Sequence, residues 1–137
     1  MDLTIPVSTV MSTNVTAVAP HQKLVDLKHI FERKIFYHHI PVIENNSLVG
    51  IVSLVDFMRG IGFAGLEDED PTYQEKYVKE IMTINPEWID AHEPLVKAVK
   101  ILAEGKVHAL IVLDNQKVVG IISTSDLLKF MLKNALN

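Results

Sequence analysis

Apolar positions along the chain follow two rhythms, and the whole pattern is written twice. Leu24, Leu27, Ile30 and Phe31 keep the i, i+3, i+4, i+7 spacing of one face of an amphipathic helix. Leu95, Ala98, Val99 and Leu102 repeat that face further along. Pro94 suits the first turn of the second helix, where its missing N–H costs nothing, and Gly105 suits the C-terminal cap. After each helix come two short aliphatic runs. "HIPVI" and "LVGIVS" are joined by Glu44-Asn45-Asn46-Ser47, and "ALIVL" and "VVGIIS" by Asp114-Asn115-Gln116-Lys117. Asparagine tolerates left-handed backbone, so both junctions predict β-hairpins. The runs are rich in β-branched residues and hardly alternate, which predicts strands covered on both faces. Closing helices are predicted over 54–60 and 124–133, and brief leading strands over 15–18 and 87–90.

The duplication can be aligned residue by residue. "VSTVMSTN" (7–14) matches "VKEIMTIN" (78–85) at an offset of 71, and "LVGIVSLVD" (48–56) matches "VVGIISTSD" (118–126) at an offset of 70. Self-similarity of this kind marks a repeated supersecondary unit, here β-α-β-β-α. One such unit would struggle to bury its sheet alone. The expected fold class is α/β (α+β), two pseudo-symmetric β-α-β-β-α units packed through their sheets. The boundaries expected from the sequence are a first unit over 1–60, an acidic linker over 61–77 and a second unit over 78–137. The linker carries Gly62, Gly65, the run Glu67-Asp68-Glu69-Asp70 and Pro71, and reads as exposed; "PTYQEKYVKE" could add a turn or two of helix.

Composition narrows the function classes. Seventeen acidic residues against thirteen basic ones give a net charge of −4 with no Lys/Arg cluster, which argues against a nucleic-acid partner. No apolar stretch approaches the roughly 18 residues that span a bilayer. The start Met1-Asp2-Leu3-Thr4 lacks the basic and apolar run of a secretion signal, so a cytoplasmic location without membrane contact is expected. The chain has no cysteine, which removes disulfides, thiolate metal sites and cysteine nucleophiles.

The ordered pair "VMSTN…HIPVIENNSLVGIVSLVD" and "IMTIN…ALIVLDNQKVVGIISTSD" resembles a tandem pair of cystathionine β-synthase (CBS) domains, the Bateman module, over about residues 5–133. The resemblance implies two units around a two-fold axis, with clefts between them that take AMP, ADP, ATP or S-adenosylmethionine. It implies a homodimer that regulates an enzyme, channel or transporter on a separate, unidentified chain, rather than an enzyme. It places the adenine against the first-strand edges, Val15 and Thr16 in one copy and Pro86 and Glu87 in the other. It adds the residues before the second strands, Tyr37 and Val107, and puts His38 and His108 near ribose or phosphate.

The residue chemistry agrees with this. In Ser53-Leu54-Val55-Asp56 and Ser123-Thr124-Ser125-Asp126, a strand runs into a helix. The carboxylates of Asp56 and Asp126 can accept from ribose hydroxyls. The Ser53, Ser123 and Ser125 hydroxyls and the helix-start N–H groups can meet phosphate oxygens. Serine and aspartate are also favoured helix caps, and capping alone would explain both aspartates. Pro86-Glu87-Trp88 stands where the first copy has Val15-Thr16-Ala17, so the two clefts are expected to differ. The alternative reading is a structural, protein-interaction module without a small-molecule ligand.

Other motifs carry less. Gly60-Ile61-Gly62-Phe63-Ala64-Gly65 spells a dinucleotide fingerprint, but a helix precedes it and carboxylates follow it, so helix termination is expected. The six histidines show no H-x-x-x-H pair, and the adjacent His38 and His39 would point to opposite faces of a strand. No metal ligand set is expected. Trp88 is expected in the core or an interface.

Overall fold

The computed structural model describes residues 1–33 and 39–136. Packing gathers the chain into two compact units. A middle unit runs Thr16–Pro86, and a split unit joins Met1–Val15 to the chain from Glu87 onward.

In the middle unit, α1 (Leu24–Arg33) is followed by β1 (His39–Glu44), β2 (Ser47–Ser53) and α2 (Leu54–Ile61), then a short α3 (Pro71–Glu75) and β3 (Thr83–Ile84). The sheet order is β1-β2-β3, all antiparallel, with Gly50 opposite Ile84 and Ile51 opposite Thr83. Asn45 and Asn46 both adopt positive φ (51° and 65°), which gives a two-residue turn whose twist matches the flanking strands. The predicted leading strand at 15–18 shrinks to one parallel bridge between Val18 and Val42. Leu24, Leu27 and Phe31 are buried as the helical spacing requires, with Ile30 packed at the margin.

The split unit repeats this plan with β4 (Trp88–Asp90), α4 (Leu95–Ala103), β5 (Ala109–Asp114), β6 (Lys117–Ser123) and α5 (Thr124–Ala135). The sheet order is β4-β5-β6, β4 parallel to β5 and β5 antiparallel to β6. Asn115 and Gln116 repeat the positive-φ turn at 51° and 68°. Gly105, at φ 77°, stops α4 in the left-handed conformation that disfavours a side chain. Coverage of both strand faces holds for β5, buried from Ala109 to Leu113; β2 and β6 alternate more than predicted.

Each unit is completed by the segment that precedes the other repeat. The Val7 N–H donates to the Glu93 carbonyl at 2.9 Å, the Leu95 N–H to Ile5 at 2.8 Å, and Ser12 and Ile121 exchange two backbone hydrogen bonds. At equivalent positions of the middle unit, the Val78 N–H donates to Gln22 at 2.8 Å and the Leu24 N–H to Lys76 at 3.0 Å. Val7 and Val78 are each fully buried in the core they cross into. The methionines after them cover glycines. A Cβ on Gly120 would lie 2.6 Å from Met11 Sδ and 2.7 Å from the Ser12 carbonyl oxygen. A Cβ on Gly50 would lie 2.7 Å from Met82 Sδ. The motif "V-x-x-[VI]-M-[ST]" therefore docks on "VGI" of the opposite repeat, which accounts for both being written twice.

Two further expectations change. The stretch 61–77 is anchored rather than simply exposed. Tyr73 is 1% exposed, stacks against Phe57 with centroids 6.5 Å apart, and donates its hydroxyl hydrogen to the Gly65 carbonyl at 2.6 Å. On α1, Lys28 Nζ reaches Asp68 at 2.7 Å and Glu32 at 2.8 Å, while His29 Nε2 lies 2.7 Å from Asp68. Those two carboxylates hold the Lys28 ammonium charged well above its ordinary range. Of the two places expected for Trp88, the core is excluded: it is 54% exposed, because Ile89 beside it takes the inward side of β4 and successive strand residues face opposite ways.

Candidate functional site

The strand-to-helix junctions carry the same construction in both units. Ser53 caps α2: its Oγ accepts from the Asp56 N–H at 3.0 Å, and Asp56 Oδ2 accepts from the Ser53 N–H at 3.0 Å. Ser123 and Asp126 repeat this capping box on α5 at 3.1 and 2.8 Å, and the Ser123 hydroxyl also donates to Asp126 Oδ2 at 3.0 Å. The box satisfies two backbone donors that the first helical turn leaves open. The aspartates thus sit one turn inside their helices, fixed in direction by the backbone.

A further hydroxyl reaches each aspartate from the exchanged segment. Ser12 Oγ donates to Asp126 Oδ1 at 3.1 Å, and Thr83 Oγ1 to Asp56 Oδ2 at 3.3 Å. Sequence reasoning did not single out Ser12 and Thr83. The signal was present, since they align at the offset of 71 and both carry a hydroxyl. Both oxygens of Asp126 are thereby engaged inside its own unit.

The predicted site residues divide between the units. Ser53 and Asp56, with Thr16 and Pro86, belong to the middle unit; Val15, Glu87, Val107, His108, Ser123, Ser125 and Asp126 belong to the split unit. The chain passes from one unit to the other between Val15 and Thr16 and again between Pro86 and Glu87. In the split unit, the Thr124 N–H donates to the His108 carbonyl at 3.1 Å, which ties the residue before β5 to the start of α5. The Glu87 carbonyl accepts from Ile111, and the Glu87, His108 and Ser125 side chains are exposed. Val107 packs at the margin of the core. Tyr37 and His38 lie outside the described residues.

Each junction brings together an oriented carboxylate, two hydroxyls and the N–H groups of a helix start, although in the split unit the Ser12 and Ser123 hydroxyls both donate to Asp126. That set can hold vicinal hydroxyls and an oxyanion. Among the described residues, no group of three His, Asp or Glu side chains could hold a metal ion, and no helix is long and apolar enough to cross a membrane.

Comparison with known proteins matches the CBS domain family twice, over residues 7–62 and 78–133. An uncharacterized protein of Methanocaldococcus jannaschii, MJ1232, is 31% identical over 118 residues; the match covers 85% of this chain but 36% of that protein, so the chain spans about a third of its length. The CBS-pair protein CBSX2 from Arabidopsis thaliana superposes with a TM-score of 0.80 at 26% identity, covering 97% of this chain and 98% of that one. CBSX2 has also been solved in complex with AMP, with a TM-score of 0.79 at 26% identity and 96% and 98% coverage.

Proposed function

Because the chain belongs to the CBS-domain family, as a tandem pair, we propose that it is a regulatory module that binds an adenine nucleotide and modulates a separate partner protein without catalysing a reaction. The carrying observation is the duplicated capping box, which holds one carboxylate and one serine hydroxyl at each strand-to-helix junction. Asp56 and Asp126 accept from the ribose hydroxyls. Ser53, Ser123, Ser125 and the helix-start N–H groups receive phosphate oxygens. On the family resemblance, Val15, Thr16, Pro86, Glu87, Tyr37 and Val107 meet the base, and His38 and His108 the ribose or phosphate. The AMP complex of CBSX2 supports this ligand class. A nucleotide acts by binding one of two conformations more tightly, so its signal is a population shift.

Two apolar helix faces support homodimer formation. Leu128, Met131 and Leu132 on α5 are exposed at helical spacing, as are Val55 and Met58 on α2. The same faces favour a second reading, an interaction module without ligand, and so does the engagement of both Asp126 oxygens.

Thermal unfolding with AMP, ADP, ATP or S-adenosylmethionine at about 1 mM separates the two. A ligand at about a hundred times its dissociation constant stabilises by about 2.7 kcal/mol, a shift of several degrees. The sensor reading expects such a shift for one ligand and its loss in Asp56→Ala/Asp126→Ala, measured against that variant's own ligand-free midpoint. No shift with any of the four leaves the interaction module.

A further inference from the structure

The duplication supplies an internal control for what the fold itself requires. The hairpin end of the split unit's sheet holds a surface cleft of about 430 Å³ lined by Trp88, Asp90, Leu113, Asn115 and Gln116. The equivalent positions of the first repeat are Ala17, Ala19, Ile43, Asn45 and Asn46. The aliphatic wall and the polar turn are therefore shared, whereas the tryptophan and the aspartate belong to the second repeat alone. In the middle unit, where alanine stands at both places, the hairpin still forms, but the leading strand is reduced to the Val18–Val42 bridge. Trp88, 54% exposed, presents its indole at this cleft.

The two side chains act together. Trp88 and Asp90 are two apart on β4, so both project from the face opposite the buried Ile89. Asp90 Oδ1 accepts the His92 N–H at 2.8 Å, which fixes the carboxylate. None of the five lining residues is basic. An indole face beside a fixed carboxylate attracts an organic cation, through the ring quadrupole and through direct charge.

The backbone indicates how the cation is presented. β4 is the outer strand of its sheet. The Glu87 carbonyl accepts from Ile111 and the Ala91 N–H donates to Leu113, so residues 87, 89 and 91 pair with β5. The Asp90 carbonyl is taken by the Glu93 N–H at 3.1 Å, which leaves the N–H and C=O of Trp88 and the N–H of Asp90 turned toward the outer edge, where an extended chain can add.

We propose that this cleft receives an arginine or lysine side chain from an extended basic segment of a partner protein, laid along β4 with its cation between the Trp88 ring and the Asp90 carboxylate. The site is separate from the serine–aspartate junctions and stands independently of the nucleotide reading.

Trp88 is the only tryptophan of the chain, so in nucleotide-free buffer its fluorescence reports on the cleft. The test titrates the full chain at low salt with the blocked peptide Thr-Arg-Thr-Arg-Thr and follows that emission, with Thr-Glu-Thr-Glu-Thr as control. The expected result is saturable change with the arginine peptide, none with the glutamate peptide, and weakening by salt. Asp90→Ala, which removes the carboxylate together with its bond from the His92 N–H, should weaken the peptide about fivefold, with affinity read well below that variant's own melting temperature. Trp88→Ala, followed by the amide resonances of Leu113 and Gln116, should weaken it similarly. The proposal is overturned by no response at millimolar peptide, by equal response to the glutamate peptide, or by unchanged affinity in Asp90→Ala. Arginine amide binding as tightly as the peptide would overturn the partner-protein assignment. Emission that follows protein concentration without peptide would assign the cleft to a second copy of the chain instead.

Discussion

Substituting alanine for Gly120 tests the exchange of segments between the repeats. The glycine lies within β6, where alanine by itself gains about 0.5–1 kcal/mol by restricting the unfolded chain. In this fold, the new Cβ would sit 2.6 Å from Met11 Sδ and 2.7 Å from the Ser12 carbonyl oxygen. The sulfur can swing away, but the carbonyl belongs to backbone that exchanges two hydrogen bonds with Ile121. Separating them means moving the whole segment that carries the buried Val7. Overpacking costs about 1–3 kcal/mol, and against fixed backbone the upper half of that range applies, about 2–3 kcal/mol, so the net loss is about 1–2.5 kcal/mol, or a melting temperature lower by about 3–10 °C. Gly50→Ala should cost less. Its worst neighbour is the flexible Met82 Sδ at 2.7 Å, and the Thr83 carbonyl oxygen stands off at 3.0 Å. Removing the sulfur separates the two cases further. Gly50→Ala should be nearly neutral in a Met82→Ala background, whereas Gly120→Ala should remain destabilising in Met11→Ala because the Ser12 carbonyl stays in place. The assay is thermal unfolding of the four single and two double variants. A Gly120→Ala protein as stable as the parent would refute the docking of residues 7–12 on β6.

Three more outcomes follow from the same contacts. Hydrogen bonds from Lys28, then His29, hold the Asp68 carboxyl below its ordinary value of 3.8. A lowered folded value contributes stability present above the unfolded value and lost as pH falls through the folded one. Protease cleavage of the 61–77 stretch should therefore rise as pH drops below about 4, and Asp68→Asn should raise it already at neutral pH and weaken that acid dependence, the remainder belonging to Asp70, which the Thr72 and Gly65 N–H groups also hold low. Tyr73→Ala should cost about 3–5 kcal/mol, as for deleting a buried aromatic ring, and Tyr73→Phe about 0.5–1.5 kcal/mol for the hydrogen bond to Gly65, both read by urea unfolding. Ser123→Ala should remove the cap of α5 and cost about 1 kcal/mol in the same assay, with Ser53→Ala alike on α2.

The features legible in the sequence are those fixed within a few residues. The helix faces of α1 and α4, the two Asn-led hairpin turns and the Gly105 stop depend on local periodicity and backbone preference, and they stand where the pattern puts them. The Ser-x-x-Asp boxes belong with these, since a cap is a contact across three residues. Trp88 was half legible: a core or an interface was expected, and strand parity with Ile89 allows only one of the two residues into the core. The sequence also determined that the unit is repeated, and so that contacts should come in pairs. What it left open is which repeat each leading segment serves. Val7, Met11 and Ser12 precede the first repeat yet pack on the second, and Val78, Met82 and Thr83 do the reverse. Periodicity cannot express that choice, because a residue's spacing says that it must be buried and not against what. Tyr73 was hidden for the same reason, as a lone aromatic in a polar stretch has no periodic neighbours and is buried only because Phe57 and the Lys28–Asp68 pair hold its segment down. Only tertiary structure brings a hydroxyl from residue 12 to a carboxylate at residue 126, because that bond depends on the packing of two distant segments and not on any preference within either.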